Sequence, residues 1–322
     1  MKLRHVAAAL VGSAALAVAA AVPASSSPSV SVPSLTSVPE GSARTAAVAP
    51  NTGLAKFAAA FTRSQAAPEA APPGANDWAC EPSTAHPRPV VLIHGTWANA
   101  YANWSGLSPV LKKAGYCVYA LNYGAPDGDV FKGKGHVPDS SKEVAAFVDK
   151  VLDATGAEKA DLVGHSQGGG LLPRWYLKFD GGAAKTHRLV GIAPSNHGTT
   201  ASGMASLAKS LRVLDTTAQM AGQAAKDQTV GSDVNARLDA DGDTMPGVRY
   251  TTVVTRTDEV VTPYRQQYLM AGPDAPVDNL TLQDACPTDM SAHLGIAYST
   301  VMNRLVLNAL DPANARPASC LS

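Results

Sequence analysis

Ala160-Asp161-Leu162-Val163-Gly164-His165-Ser166-Gln167-Gly168-Gly169-Gly170 is a short apolar run that turns through a glycine-flanked serine into the stretch ending at Phe179. Ala160 to Val163 reads as a buried strand and Gly168 to Phe179 as a helix, with a kink expected at Pro173. A serine on so sharp a strand-to-helix turn is held out above the edge of a sheet. Glycines belong on either side because a Cβ there would collide with the neighbouring backbone. Ser166 is therefore the candidate nucleophile.

Working outward, short apolar runs alternate with helical patterns. Pro89 to Ile93 and Tyr116 to Leu121 read as strands separated by a helix around Trp104 to Ala114. Ser140-Ser141-Lys142-Glu143 has the form of a capping box, and Val144, Phe147, Val148, Val151 and Leu152 follow at helical spacing up to Gly156. Further strands are expected at Arg188 to Ile192, Val248 to Thr255 and Asn279 to Leu282, and a last helix at about Ala292 to Leu310. Such alternation predicts an α/β fold, a mostly parallel sheet with helices on both faces.

A serine hydroxyl needs a base, and the base an orienting acid. On an elbow of this kind the chain order is serine, acid, histidine. His187, His197 and His293 are the histidines downstream of Ser166. The strand run from Tyr250 ends at Asp258, after which only His293 remains, so Asp258 and His293 complete the candidate triad. Glu259, Asp284 and Asp289 stay open as alternatives for the acid. The oxyanion formed in such chemistry requires preplaced N–H donors, one from the residue after the nucleophile, Gln167, and one from the loop after the first strand, where Thr96 is the choice. His94 and His165 precede the acid and are read as supports of that loop and turn. Trp97 and Trp104 are candidates to line an acyl site or to fill the core.

Other features bound the rest. Lys2 and Arg4 precede an Ala/Val/Leu run, and Val22-Pro23-Ala24 offers a cleavage site, so residues 1–24 read as a signal peptide rather than a retained anchor, and the protein as secreted and extracellular. Residues 25–75, rich in Ala, Ser and Pro, read as a disordered leader or linker, which leaves 76–322 as one domain. Removing residues 1–24 takes two basic and no acidic residues, moving the formal charge from 26 − 26 = 0 to 24 − 26 = −2, which speaks against a nucleic-acid partner. Four cysteines in an exported chain are expected as disulfides. Three pairings exist, and Cys80–Cys117 with Cys286–Cys320 is favoured because each would bracket one end of the domain. Met204, Leu207, Leu211, Leu214 and Ala218 form one apolar helix face within an insertion at 200–247, read either as a lid or as a face packed on the sheet. Asp239-Ala240-Asp241-Gly242-Asp243 lacks the glycine and glutamate of an EF-hand loop and reads as a solvated turn, and no metal is expected.

Val90–Asn99 (VVLIHGTWAN), Gly115–Gly124 (GYCVYALNYG), Asp161–Phe179 (DLVGHSQGGGLLPRWYLKF), Ala193–Thr199 (APSNHGT), Thr255–Tyr264 (TRTDEVVTPY) and His293–Pro312 (HLGIAYSTVMNRLVLNALDP) occur in this order. With these blocks the chain resembles the secreted bacterial triacylglycerol lipases and esterases of the class 2 lipase family, particularly those of actinomycetes. The resemblance implies an α/β-hydrolase fold, Ser166, Asp258 and His293 at the triad positions, Thr96 and Gln167 at the oxyanion positions, ester or lipid substrates and no cofactor. A monomer acting at a lipid–water interface is the expected form. A short-chain carboxylesterase, a polyester hydrolase and an acyltransferase would use the same triad, and chain-length preference lives in pocket shape.

Overall fold

The computed structural model describes residues 52–211 and 222–321. The proposed signal peptide and the leader as far as residue 51 lie outside the described residues. Helix α1 (Thr52–Ser64) is followed by β1 (Val90–Ile93), α2 (Ala100–Trp104), α3 (Ser108–Lys113), β2 (Val118–Leu121) and α4 (Val137–Thr155). The central part holds β3 (Ala160–His165), α5 (Leu171–Phe179), α6 (Gly182–Lys185), β4 (Thr186–Ile192), α7 (Ala201–Ser210), α8 (Gly222–Asp227) and α9 (Asp233–Asp239). β5 (Arg249–Val254), β6 (Val277–Thr281), α10 (Leu282–Ala285) and α11 (Thr300–Leu310) complete the chain.

The six strands form one sheet in the order β2-β1-β3-β4-β5-β6, every neighbouring pair parallel. Parallel strands need crossover connections, which cover both faces and explain why β1 and β2 read as unbroken apolar runs. Successive side chains go to opposite faces. Val91, Ile93, Leu162 and Leu189 pack against α4, α5 and α9, while Val90, Leu92, Val163 and Val190 pack against α2, α3 and α11. Trp104 is fully buried in the second of these layers and is a core residue.

Three expected helices are shifted for local reasons. α4 begins at Val137 rather than at Ser140, and Ser140 and Ser141 are buried inside it. Its first turn holds Pro138, and the Val137 N–H is met at 2.8 Å by Asp227 Oδ2, so the capping group comes from 90 residues away. α5 begins at Leu171, after a 3₁₀ turn over Ser166–Gly169, which puts Pro173 in its first turn, where its missing N–H costs nothing. The last helix is split at Ser299, whose side chain caps α11 at the Met302 N–H.

The expected disordered leader does not extend to residue 75. α1 buries Phe57 and Phe61 in a third apolar cluster with Trp97, Ala98, Met204, Leu207, Val260, Val261, Leu294 and Tyr298. Phe57 meets the Tyr298 ring edge-on at 6.1 Å. A Cβ at Gly53 would lie 2.4 Å from Gly295 O, so the helix backbone rests directly on the turn after His293. Beyond it, the Glu69 carboxylate lies 2.6 Å from the buried Lys132 ammonium, and Asn122 Nδ2 donates to Pro68 O at 2.9 Å. Phe57→Ala should therefore destabilise the domain by about 3 kcal/mol or more, the loss for truncating a fully buried aromatic ring. Urea denaturation of the variant checks this, and an unchanged midpoint would mean that α1 is a loosely attached leader.

Cys80 is bonded to Cys117 and Cys286 to Cys320. No described helix is long and apolar enough to cross a membrane.

Candidate active site

β1, β3, β5 and β6 all end on the same edge of the sheet, and each is followed by a segment that carries one part of the site. Open parallel sheets place ligands at this edge. At the end of β3 the chain turns so tightly that Ser166 has φ of 57°, a left-handed conformation that costs a non-glycine residue roughly 1–3 kcal/mol. The surrounding glycines make the turn possible. A Cβ at Gly164 would lie 1.7 Å from Gly168 O, and one at Gly168 would lie 2.3 Å from both Ile93 O and His94 O.

Ser166 Oγ lies 2.9 Å from His293 Nε2, and His293 Nδ1 lies 3.0 Å from Asp258 Oδ2 and 3.2 Å from Oδ1. All three side chains are buried. Asp258 Oδ1 accepts the N–H groups of Val260 and Val261, each at 2.8 Å, and Oδ2 accepts Gln267 Nε2 at 2.9 Å. Burial by itself would raise the pKa of Asp258, but the His293 ring and the two backbone donors outweigh it and hold the carboxyl below its ordinary range. For His293 burial works downward. The charge and hydrogen bond of Asp258, with the charge of Glu259, overcome it and raise the pKa above 6.5. A neutral imidazole with its proton on Nδ1 presents a lone pair at Nε2 to the serine hydroxyl.

The alternative acids are engaged elsewhere. Glu259 Oε2 accepts the His293 N–H at 3.1 Å, Asp284 pairs with Arg256, and Asp289 accepts Ser299 Oγ at 2.6 Å. His187 pairs with Asp161 at 2.8 Å, at the start of β3 and so at the opposite edge of the sheet. His197 lies 3.2 Å from Asp239 Oδ1. Donor atoms of His197, Asp239 and Asp243 lie within 4.8 Å of one another, and the buried Arg174 guanidinium bonds both carboxylates, at 3.1 and 3.3 Å.

Thr96 and Gln167 are brought together across the nucleophile: Thr96 Oγ1 donates to Gln167 Oε1 at 2.8 Å. A Cβ on Gly95 would lie 3.1 Å from Ser166 Cβ, so the loop after β1 passes directly over the serine. Two buried histidines brace this arrangement. Burial lowers the pKa of His94 to about 4, and its Nδ1–H donates to Gly95 O at 2.8 Å. Burial, with the neighbouring His293, lowers that of His165 to about 3, and its Nε2–H donates to His293 O at 2.9 Å. Asn103 Oδ1 accepts the Gly95 N–H at 3.1 Å and lies 3.0 Å from His165 Nδ1.

Of the apolar face proposed for the insertion, Met204, Leu207 and Leu211 are buried against Phe57, Trp97 and Val260, while Leu214 and Ala218 lie outside the described residues. Gly203 lets α7 approach closely, since a Cβ there would lie 2.0 Å from Val260 O. Asn103, Gln228 and Gln267 were not singled out from the sequence; isolated amides at these positions carry no motif, and their partners come from distant segments.

The model of the family described as Lipase (class 2) matches residues 87–303. Triacylglycerol lipases of Pseudarthrobacter phenanthrenivorans and Burkholderia plantarii are 39% identical to the chain over 87 residues, which is 25% of this chain and 25% and 23% of theirs. The match thus spans about a quarter of the length of these curated relatives. Among solved structures, Aspergillus fumigatus lipase B superposes with a TM-score of 0.60 at 21% identity, covering 77% of this chain and 57% of that one. A Bacillus licheniformis lipase in its mature form superposes with a TM-score of 0.53 at 16% identity, covering 71% and 94%. With an all-parallel sheet, a serine elbow after β3 and a family match over most of its length, the chain has the α/β-hydrolase fold and belongs to the class 2 lipase family.

Proposed function

We propose that the protein is a carboxylic ester hydrolase, a secreted triacylglycerol lipase that works through Ser166, His293 and Asp258. The observation that carries this reading is the unbroken chain of hydrogen bonds from Ser166 Oγ through His293 to Asp258, buried and set on a strained elbow. Ser166 Oγ attacks the ester carbonyl carbon while its proton passes to His293 Nε2. The negative charge on the former carbonyl oxygen is met by the N–H groups of Thr96 and Gln167. Collapse of the tetrahedral adduct breaks the bond to the alkoxy oxygen, which leaves as the alcohol with the proton from His293. Water, deprotonated by the same histidine, then releases the fatty acid and restores Ser166.

The two cystine bridges favour an oxidising compartment, which supports secretion. The triacylglycerol reading draws on the family and on the names of its relatives. It is tested with p-nitrophenyl esters of two to sixteen carbons and an emulsified triacylglycerol, with the Ser166→Ala protein as blank. Serine-dependent hydrolysis that extends to long chains and to the emulsion is expected. Activity confined to short soluble esters would replace lipase by esterase or polyester hydrolase.

A further inference from the structure

Gln228, immediately after α8, is almost fully buried, and every polar atom of its side chain is engaged. Nε2 donates to Thr96 Oγ1 at 2.7 Å and to Ala224 O at 3.2 Å, and Oε1 accepts Ser195 Oγ at 3.2 Å. Its backbone is fixed independently, since its N–H donates to Ala224 O at 3.0 Å and its carbonyl accepts the Thr199 N–H at 2.7 Å. The loop before Thr199 is shaped around that carbonyl. Gly198 has φ of 81°, and a Cβ on it would lie 2.7 Å from Gln228 O.

These bonds close a ring around the nucleophile. Ser166 O accepts the Ser195 N–H at 3.2 Å, Ser195 Oγ donates to Gln228, Gln228 donates to Thr96, and Thr96 Oγ1 donates to the side-chain Oε1 of Gln167, the residue that follows Ser166. The backbone bonds of Gln228 suffice to hold its own segment. The carboxamide's reach to Thr96 needs another account.

We infer that Gln228 is a positioning residue for the oxyanion site, holding the Thr96 hydroxyl, and with it the Thr96 N–H, in register with the N–H of Gln167. The inference rests on the reading of Thr96 and Gln167 as oxyanion donors. Without the amide, Thr96 Oγ1 loses its donor. Thr96 Oγ1 then keeps only its bond to Gln167 Oε1, and relaxation of the loop carries the Thr96 N–H out of register with the oxyanion. The 222–239 arm is then a buttress of the catalytic site.

The test is steady-state hydrolysis of p-nitrophenyl butyrate, with the affinity of an alkylboronic acid, which forms a tetrahedral adduct on the serine, and melting temperatures read alongside. The proteins are wild type, Ser166→Ala, Gln228→Leu, Thr96→Val, Thr96→Ser and Gln228→Leu/Thr96→Val. Outright loss of an oxyanion donor costs about 10² to 10³ in rate, and a displaced donor should cost about tenfold. Gln228→Leu should lower kcat by that factor with KM unchanged and weaken the boronate equally. Adding it to Thr96→Val should cost nothing more, because a residue that acts only through a hydroxyl has nothing to act on once the hydroxyl is gone.

A lower melting temperature with kcat and boronate affinity intact would overturn the inference and leave Gln228 a structural pin of its arm. If Gln228→Leu does not fold, the threonine pair decides: Thr96→Ser keeps the hydroxyl and should retain more kcat than Thr96→Val, whereas a fully active Thr96→Val defeats the idea. Activity undiminished in Ser166→Ala would instead bring down the functional reading itself, and the inference with it.

Discussion

Replacing Ser166 by alanine should lower kcat for ester hydrolysis by about 10⁶, and His293→Ala, alone or combined with Ser166→Ala, should cost about as much and no more. The non-additivity follows from the geometry. His293 Nε2 is placed to take the proton of Ser166 Oγ at 2.9 Å, so without the serine it has no proton to take, and without the histidine the hydroxyl is not a nucleophile at neutral pH. Residual catalysis of about 10³ to 10⁴ over water should persist in all three variants, because the proposed oxyanion donors, Thr96 and Gln167, remain. The alanine at position 166 keeps the elbow, whose shape is set by the glycines around it. Melting temperatures should therefore stay close to wild type, and kcat from progress curves at high enzyme concentration separates chemistry from misfolding. Losses that multiplied across the double variant would mean that the two residues act in separate steps.

The parts of the fold that could be read from the sequence are those whose cause is local. β1, β2 and the central parts of β3 and β4 are apolar runs, and buried parallel strands leave that pattern whatever lies around them. The elbow was equally legible, since the glycines at 164 and 168 answer to backbone collisions within the turn and with the strand beside it. What escaped depends on contacts across the chain. The start of α4 is set by Asp227, which a capping box at Ser140 could not reveal. α1 sits in a stretch whose average composition is that of a linker, and only the pair Phe57 and Phe61, four residues apart, marks a helix with one buried face. In the site, the chain order of serine, acid and histidine pointed to residues that the fold brings within hydrogen-bonding distance. Gln267 and Gln228, which hold Asp258 and Thr96, were invisible because a glutamine's partner is not written next to it.

Asp258→Asn should leave the fold intact and lower kcat by about 10⁴, the cost where an orienting acid becomes an amide that favours the wrong histidine tautomer. Asp258 Oδ1 faces two backbone N–H groups, from Val260 and Val261, so the asparagine must keep its oxygen there. Its NH₂ then takes the place of Oδ2, facing His293 Nδ1 and Gln267 Nε2. An N–H donated to Nδ1 puts the imidazole proton on Nε2, where it faces Ser166 Oγ as a donor and cannot accept the serine proton. The pH dependence should change in a definite direction. In the wild-type protein Asp258 raises the His293 pKa above 6.5 against the downward pull of burial. The base is competent only when neutral, so kcat/KM should fall as pH drops through a value above 6.5. With the carboxylate gone, burial is left to dominate and the pKa falls, so the residual activity of Asp258→Asn should persist to lower pH than that of the wild type. Gln267→Leu removes one donor from the same carboxylate but leaves its charge, and should shift neither the tautomer nor the sign of this effect. An Asp258→Asn protein within tenfold of wild type, with its acid limb unmoved, would pass the orienting role to Glu259, the other carboxylate bonded to His293.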